Sequence, residues 1–143
     1  DLAQAYMIFA NNGLLRPVTL LHGQPPATGE RVLDEKTSNE VLAMLESVCN
    51  AGTGKAAQVP GYRVAGKTGT ARIAGKQGYD AHRHIGSFVG IAPVSNPKLV
   101  VAVIIHEPTR NGYYGAAVAA PLFEKVMSAS LRILDIPPDR TTL

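Results

Sequence analysis

Within a chain of 143 residues, Lys67-Thr68-Gly69-Thr70-Ala71-Arg72 gathers an ammonium, two hydroxyls and a guanidinium. Read as a strand, the segment puts Lys67 and Gly69 on one face and Thr68 and Thr70 on the other. The two hydroxyls can hydrogen-bond an anion, with Arg72 one residue pair further on. Gly69 lets a ligand lie against the backbone, and an edge-strand N–H at Thr70 would be free to donate to an oxyanion. Between Pro60 and His84 the bases Arg63, Lys67, Arg72, Lys76 and Arg83 outnumber the single acid Asp80, in a chain of net charge +3. Such a local field favours a carboxylate, a phosphate or a nucleic-acid backbone.

A phosphate-loop pattern is formally satisfied by Gly61-Tyr62-Arg63-Val64-Ala65-Gly66-Lys67-Thr68. That loop must wrap a phosphate with small residues and open a helix whose N-terminus faces the anion. Tyr, Arg, Val and Ala instead favour extended backbone, and Gly69, Gly75 and Gly78 are poor helix material. A nucleotide-binding protein therefore stands as an alternative, decided by whether residues 69 to 78 form a helix.

The elements that must position this segment follow from periodicity. Leu2, Ala5, Tyr6, Phe9 and Ala10 predict an amphipathic helix closed by Asn11-Asn12-Gly13. Pro17 to Gly29 reads as irregular, with Pro25, Pro26 and Gly29 as punctuation. A second helix runs to about Cys49, starting at Asp34 or at the capping box Thr37-x-x-Glu40. Its apolar stripe is Val41, Leu42, Leu45, Val48 and Cys49, which makes Cys49 a core residue rather than a reactive thiol. Asn50 to Gly54 and Pro60-Gly61 are turns. Tyr62 to Arg72 is expected as a strand broken by Gly66 and Gly69. Ile85 to Ala92 is a strand whose Gly86 and Gly90 suggest close approach of a helix or backbone. Leu99 to Ile105, apolar on both faces, reads as a central strand covered on both sides, antiparallel to the one before. A last helix carries Pro121 in its first turn and a stripe of Leu122, Val126, Ala129 and Ile133, with Phe123 and Met127 beside it, and Pro137-Pro138 stops it. The fold class is α+β: an antiparallel sheet with packed helices.

His82, His84 and His106 lack a carboxylate at matching spacing, so no metal site is expected. No signal peptide is evident, and the longest apolar run is too short to span a bilayer.

With its surroundings, Val59-Pro60-Gly61-Tyr62-Arg63-Val64-Ala65-Gly66-Lys67-Thr68-Gly69-Thr70-Ala71 resembles the third active-site element of class B penicillin-binding proteins. The match continues in order through Phe88-Val89-Gly90-Ile91-Ala92-Pro93, Glu107-Pro108 and Gly112-Tyr113-Tyr114-Gly115 on to Phe123, covering nearly the whole chain. It is closest to the division-specific penicillin-binding protein 3 type of Gram-negative bacteria.

The resemblance implies a peptidoglycan D,D-transpeptidase that cross-links stem peptides ending in D-Ala-D-Ala and is acylated by β-lactams. Lys67 would supply charge and help proton transfer, and Thr68 and Thr70 would hold the substrate or β-lactam carboxylate. The Thr70 N–H would serve the oxyanion hole. Arg72, Tyr79, Tyr113 and Tyr114 would form an outer base and aromatic wall. No cofactor, metal or nucleic acid is implied. The family's Ser-x-x-Lys and Ser-x-Asn elements lie upstream of the third, beyond Asp1. Residues 1–143 are therefore expected to be the C-terminal portion of a transpeptidase domain, inactive alone and partnered by the rest of that domain. Division proteins would bind the full-length parent, at the periplasmic face of the inner membrane. A non-catalytic sensor or scaffold on the same fold is the other alternative.

Overall fold

The computed structural model describes residues 2–21, 28–75, 78–110 and 112–140; Pro25, Pro26 and Lys76 lie outside them. Helix α1, Leu2–Ala10, ends as predicted: Asn12 (φ 54°) and Gly13 (φ 88°) turn left-handed, and the Gly13 N–H reaches the Ile8 carbonyl at 2.8 Å. A short antiparallel ribbon, β1 (Leu14–Leu15) with β2 (Glu30–Arg31), leads to helix α2, Glu35–Asn50. Of the two predicted starts, Asp34 is the cap. Its carboxylate accepts from the Thr37 N–H at 2.8 Å and the Thr37 hydroxyl at 2.6 Å, so Thr37 sits inside the first turn.

Three strands follow, β3 (Ala65–Gly75), β4 (Gly78–Ala92) and β5 (Leu99–His106), antiparallel in the order β3-β4-β5. The first runs unbroken through Gly66 and Gly69, contrary to expectation, because each finds a cross-strand partner: Gly66 opposes Gly90 and Gly69 opposes Ser87. Tyr62, expected in that strand, lies before it and donates its hydroxyl to the Ile136 carbonyl at 2.6 Å. Residues 69 to 75 are strand, and so are 78 to 92, which excludes the phosphate loop. The predicted antiparallel pairing of β4 with β5 holds. The central strand, however, is β4, and among the described residues β5 is an edge. An apolar run on both faces does not distinguish these positions when helices lie on both sides. Val103 is buried, while Ile104 on the other face is 51% exposed.

Helices α3 (Gly115–Val118) and α4 (Ala120–Ile133) cover one face of the sheet, building a core of Val59, Val64, Phe88, Phe123, Met127 and Leu131. The other face packs Ala65, Ile91 and Val94 against Leu42, with Phe9 and Leu45 alongside. The glycines of β4 do what their pattern suggested. A Cβ at Gly86 would meet Val118 at 2.5 Å, and one at Gly90 would meet the Phe123 ring at 2.6 Å. The α4 stripe needs correction: Phe123, Met127 and Leu131 are buried, whereas Leu122, Val126 and Ile133 are exposed. Two i, i+4 rows compete in that sequence, and the row carrying the large ring fills the glycine hollow. The helix ends at Ile133, before the two prolines.

Two outcomes are expected from this fold. The β5 edge and the outer face of α4 leave Ile104, Leu122, Val126 and Ile133 exposed, so these 143 residues on their own should associate with rising concentration in light scattering. A monodisperse, cooperatively unfolding monomer would contradict that. The second outcome concerns Asp34, whose carboxyl is held below its ordinary 3.8 by the Thr37 hydroxyl and then the Thr37 N–H. A depressed folded-state value stabilises above 3.8 and is lost as pH falls through the lower value. Asp34→Ala should therefore lower the melting temperature more at neutral pH than in acid below 3.8. An equal loss at both would show that the charge is not what the cap uses.

Candidate active site

Strand β3 lies at one edge of the sheet, so alternate backbone groups along it point away from β4. Lys67 is exposed at its start, with Nζ donating to the Thr68 carbonyl at 3.0 Å. The predicted alternation holds. Ala65 packs with Leu42 on the α2 side, while Gly66 faces Phe88 and Thr70 faces Gly115 on the α3 side. The Thr70 hydroxyl accepts from the Gly115 N–H at 3.2 Å. Gly115 is buried, and a Cβ on it would run into the carbonyl oxygens of both Gly69 and Ser87. A Cβ at Gly69 would strike the Ser87 hydroxyl, which would have to rotate away.

Thr68 has a partner that the sequence reading missed. Its hydroxyl lies 3.1 Å from the hydroxyl of Thr53, in the turn after α2. The Val48 carbonyl accepts the N–H groups of both Gly52 and Gly54, at 3.1 and 3.0 Å, which fixes that turn. The residues 50–54 were legible as a turn; a hydroxyl between two glycines was the available signal that the turn presents something.

Beyond Thr70, Tyr113 and Tyr114 stand together, ring centroids 4.5 Å apart, with the Tyr113 hydroxyl donating to that of Tyr114 at 3.2 Å. That bond raises the Tyr113 phenol above its ordinary 10.0, against the pull of the Arg72 charge, which places Arg72 within electrostatic reach. His84, opposite Arg72 across the ladder, stacks on Tyr113 with centroids 3.9 Å apart and planes 17° apart. This ring was weighed in the sequence as a metal ligand and instead backs the aromatic pair. The described residues contain no cluster of His, Cys, Asp and Glu able to hold a metal. Tyr79 is not brought in. It pairs with Ala74 beyond a register shift, 77% exposed, and seven residues of strand put that end about 23 Å from Lys67.

The basic field is narrower than the composition implied. Arg63 is held by both Glu46 oxygens at 2.7 Å, and Arg83 by the two Glu107 oxygens at 2.6 and 3.1 Å. Among the described bases of that stretch, Lys67 and Arg72 remain for a ligand. A groove of about 520 Å³ opens elsewhere, between β5 and α4, lined by Ile105, Glu107, Val118, Leu122 and Lys125 and not by the Lys67 segment.

Three further residues bear on a nucleophile. The spacing Ser-x-x-Lys occurs once, at Ser95-Asn96-Pro97-Lys98, after Lys-Thr-Gly rather than before it. It sits in the β4–β5 connection, where the Ser95 hydroxyl and N–H both bond the Asp139 carboxylate, at 2.9 and 3.1 Å. No helix follows Ser95 to carry Lys98 back over it. Ser47 donates back to the Ala43 carbonyl in its own helix at 3.1 Å. Cys49 is buried, and burial, then the charge of Glu46, pushes its thiol up to about 12. None of the three is an activated nucleophile.

The comparisons with known proteins agree with this arrangement. The penicillin binding protein transpeptidase domain matches residues 1–128. The chain is 48% identical over 140 residues to the probable peptidoglycan D,D-transpeptidase PbpC of Pseudomonas aeruginosa, covering 97% of this chain and 25% of that protein. Over 143 residues it is 39% identical to the peptidoglycan D,D-transpeptidase FtsI of Escherichia coli K12, covering 99% and 24%. It superposes with a TM-score of 0.87 and 46% identity on the apo transpeptidase domain of Burkholderia pseudomallei penicillin-binding protein 3, covering 98% of this chain and 43% of that one. The chain thus spans about a quarter of the length of these two curated relatives. With an antiparallel sheet, helices on both faces and Lys-Thr-Gly on an open edge, it belongs to the family of penicillin-binding protein transpeptidase domains.

Proposed function

We propose that this chain is the C-terminal part of a serine D,D-transpeptidase that cross-links peptidoglycan stem peptides during septal wall synthesis and is acylated by β-lactams. The observation that carries the proposal is the open β3 edge bearing Thr68 and Thr70 on one face and Lys67 next to them in the chain. In the reaction a serine oxygen attacks the penultimate D-Ala carbonyl, the bond to the terminal D-Ala breaks, and that D-Ala leaves with a proton on its amine. The amine of a second stem then attacks the acyl-serine carbonyl, the ester bond to the serine breaks, and one of that amine's own protons passes to the serine oxygen as the cross-link forms. The serine comes from a Ser-x-x-Lys segment of the full-length protein that packs against this one.

Each residue here has a role in that scheme. Lys67 places a cation beside the serine and favours removal of its proton. The hydroxyls of Thr68 and Thr70 bind the terminal carboxylate of the stem, or that of the β-lactam. The Thr70 N–H donates to the oxygen that becomes negative as the carbonyl turns tetrahedral. Arg72 adds charge beyond the carboxylate, and Tyr113 and Tyr114 give the ligand an apolar wall; Tyr79 would reach it only if the outer end of the β3–β4 hairpin bends inward. Such a protein works at the periplasmic face of the inner membrane, alongside division proteins. None of the described helices is long and apolar enough to cross a membrane.

A fluorescent penicillin should label the full-length protein covalently and leave residues 1–143 alone unlabelled. Adduct formation on Ser95 would contradict the assignment. In the full-length protein, Thr70→Val should slow acylation roughly tenfold by losing a bond to a charged group. Lys67→Ala should slow it by about a hundredfold or more. Acylation of a folded Lys67→Ala variant at the parental rate would sink the reading.

A further inference from the structure

We infer that Thr53 is a positioning residue that sets the hydroxyl proton of Thr68 toward the substrate carboxylate. The inference rests on the reading that Thr68 and Thr70 bind that carboxylate. It starts from counting protons: a threonine hydroxyl has one to donate and two lone pairs to accept with. The partner of Thr70 is an amide N–H, at 3.2 Å from Gly115, and an amide can only donate. The Thr70 oxygen is therefore the acceptor there, and its own proton stays available. Thr68 meets a hydroxyl instead, Thr53 at 3.1 Å, and either oxygen can be the donor. When an anion lies against Thr68, the Thr68 proton turns to it and Thr53 must donate behind.

The pair then forms a chain from Thr53 through Thr68 to the carboxylate, each bond polarising the next. The placement of Thr53 suits this task. Its turn is fastened by two N–H groups on the Val48 carbonyl, so its backbone is anchored to α2 while its hydroxyl reaches Thr68 on β3. Thr53 does not touch the ligand in this scheme; it acts only through Thr68. Both site hydroxyls thus receive a proton from the scaffold, one from the N-terminus of α3 and one from the turn after α2.

The test uses the full-length protein and two probes, benzylpenicillin and its methyl ester, which lacks the ionised carboxylate. Thr53→Val should lower the second-order acylation rate with benzylpenicillin roughly 3- to 10-fold. It should leave the ester's rate unchanged, and Thr53→Ser should restore the parental rate. In a Thr68→Val background, Thr53→Val should add nothing further. Should Thr53→Val not fold, Thr53→Ala against Thr53→Ser gives the same contrast. Equal slowing of both probes, or additivity with Thr68→Val, would overturn the proposal by showing a merely structural role. So would a parental rate for Thr53→Val while Thr68→Val is slow. Thr68→Val acylating with benzylpenicillin at the parental rate would instead bring down the carboxylate reading beneath it.

Discussion

The seat of Gly115 on the carbonyl oxygens of Gly69 and Ser87 joins the helical layer to the strand edge that carries the candidate site. No side chain fits at that point, so the backbone of α3 comes down directly on β3 and β4. Three consequences follow from one contact. The Gly115 N–H reaches the Thr70 hydroxyl, Tyr113 and Tyr114 are carried to the same end of the site, and α4 is launched across the sheet. Gly86 and Gly90 continue the accommodation, taking Val118 and the Phe123 ring into hollows that any Cβ would fill. The glycines that look like interruptions of strand propensity are the surface on which the helices pack.

Charge placement complements this packing. Arg63 and Arg83 are held in two-pronged pairs with Glu46 and Glu107, geometry that suits guanidinium and fixes loops rather than ligands. The Arg83 pair is solvent-exposed on both sides and contributes little to stability, but it ties Glu107, just past the end of β5, to a residue inside β4. Lys67 and Arg72 are left on the strand edge without such partners among the contacts described, at either end of the two threonines.

Much of this was legible in the sequence. The first helix with its Asn-Gly close, the core placement of Cys49, the strand character of Lys67 to Arg72 and the helix packed on Gly86 and Gly90 all follow from local pattern. The position of β5 in the sheet was not legible, since both of its faces are apolar and only neighbours decide which one water reaches. The buried row of α4 was obscured by two competing apolar rows, settled by where Phe123 finds room. Among the candidate site residues, Lys67, Thr68, Gly69, Thr70 and Arg72 stand in one segment, so their spacing and the resemblance single them out together. Thr53 and His84 come from distant segments and touch the site only through folding, as Arg63 and Arg83 leave it by pairing with acids far along the chain. The resemblance groups Tyr79 with Tyr113 and Tyr114, whereas the structure leaves it exposed at the far end of the β3–β4 ladder.

In the proposed reaction the β3 edge receives an acylated ligand through both threonine hydroxyls and the Thr70 N–H. The most direct measurement is a crystal structure of the full-length protein carrying a penicillin adduct. The ligand carboxylate is expected within hydrogen-bond reach of Thr68 and Thr70, with the former β-lactam carbonyl oxygen about 2.7–3.1 Å from the Thr70 nitrogen. A carboxylate bound away from both hydroxyls, or a carbonyl oxygen turned away from β3, would contradict it.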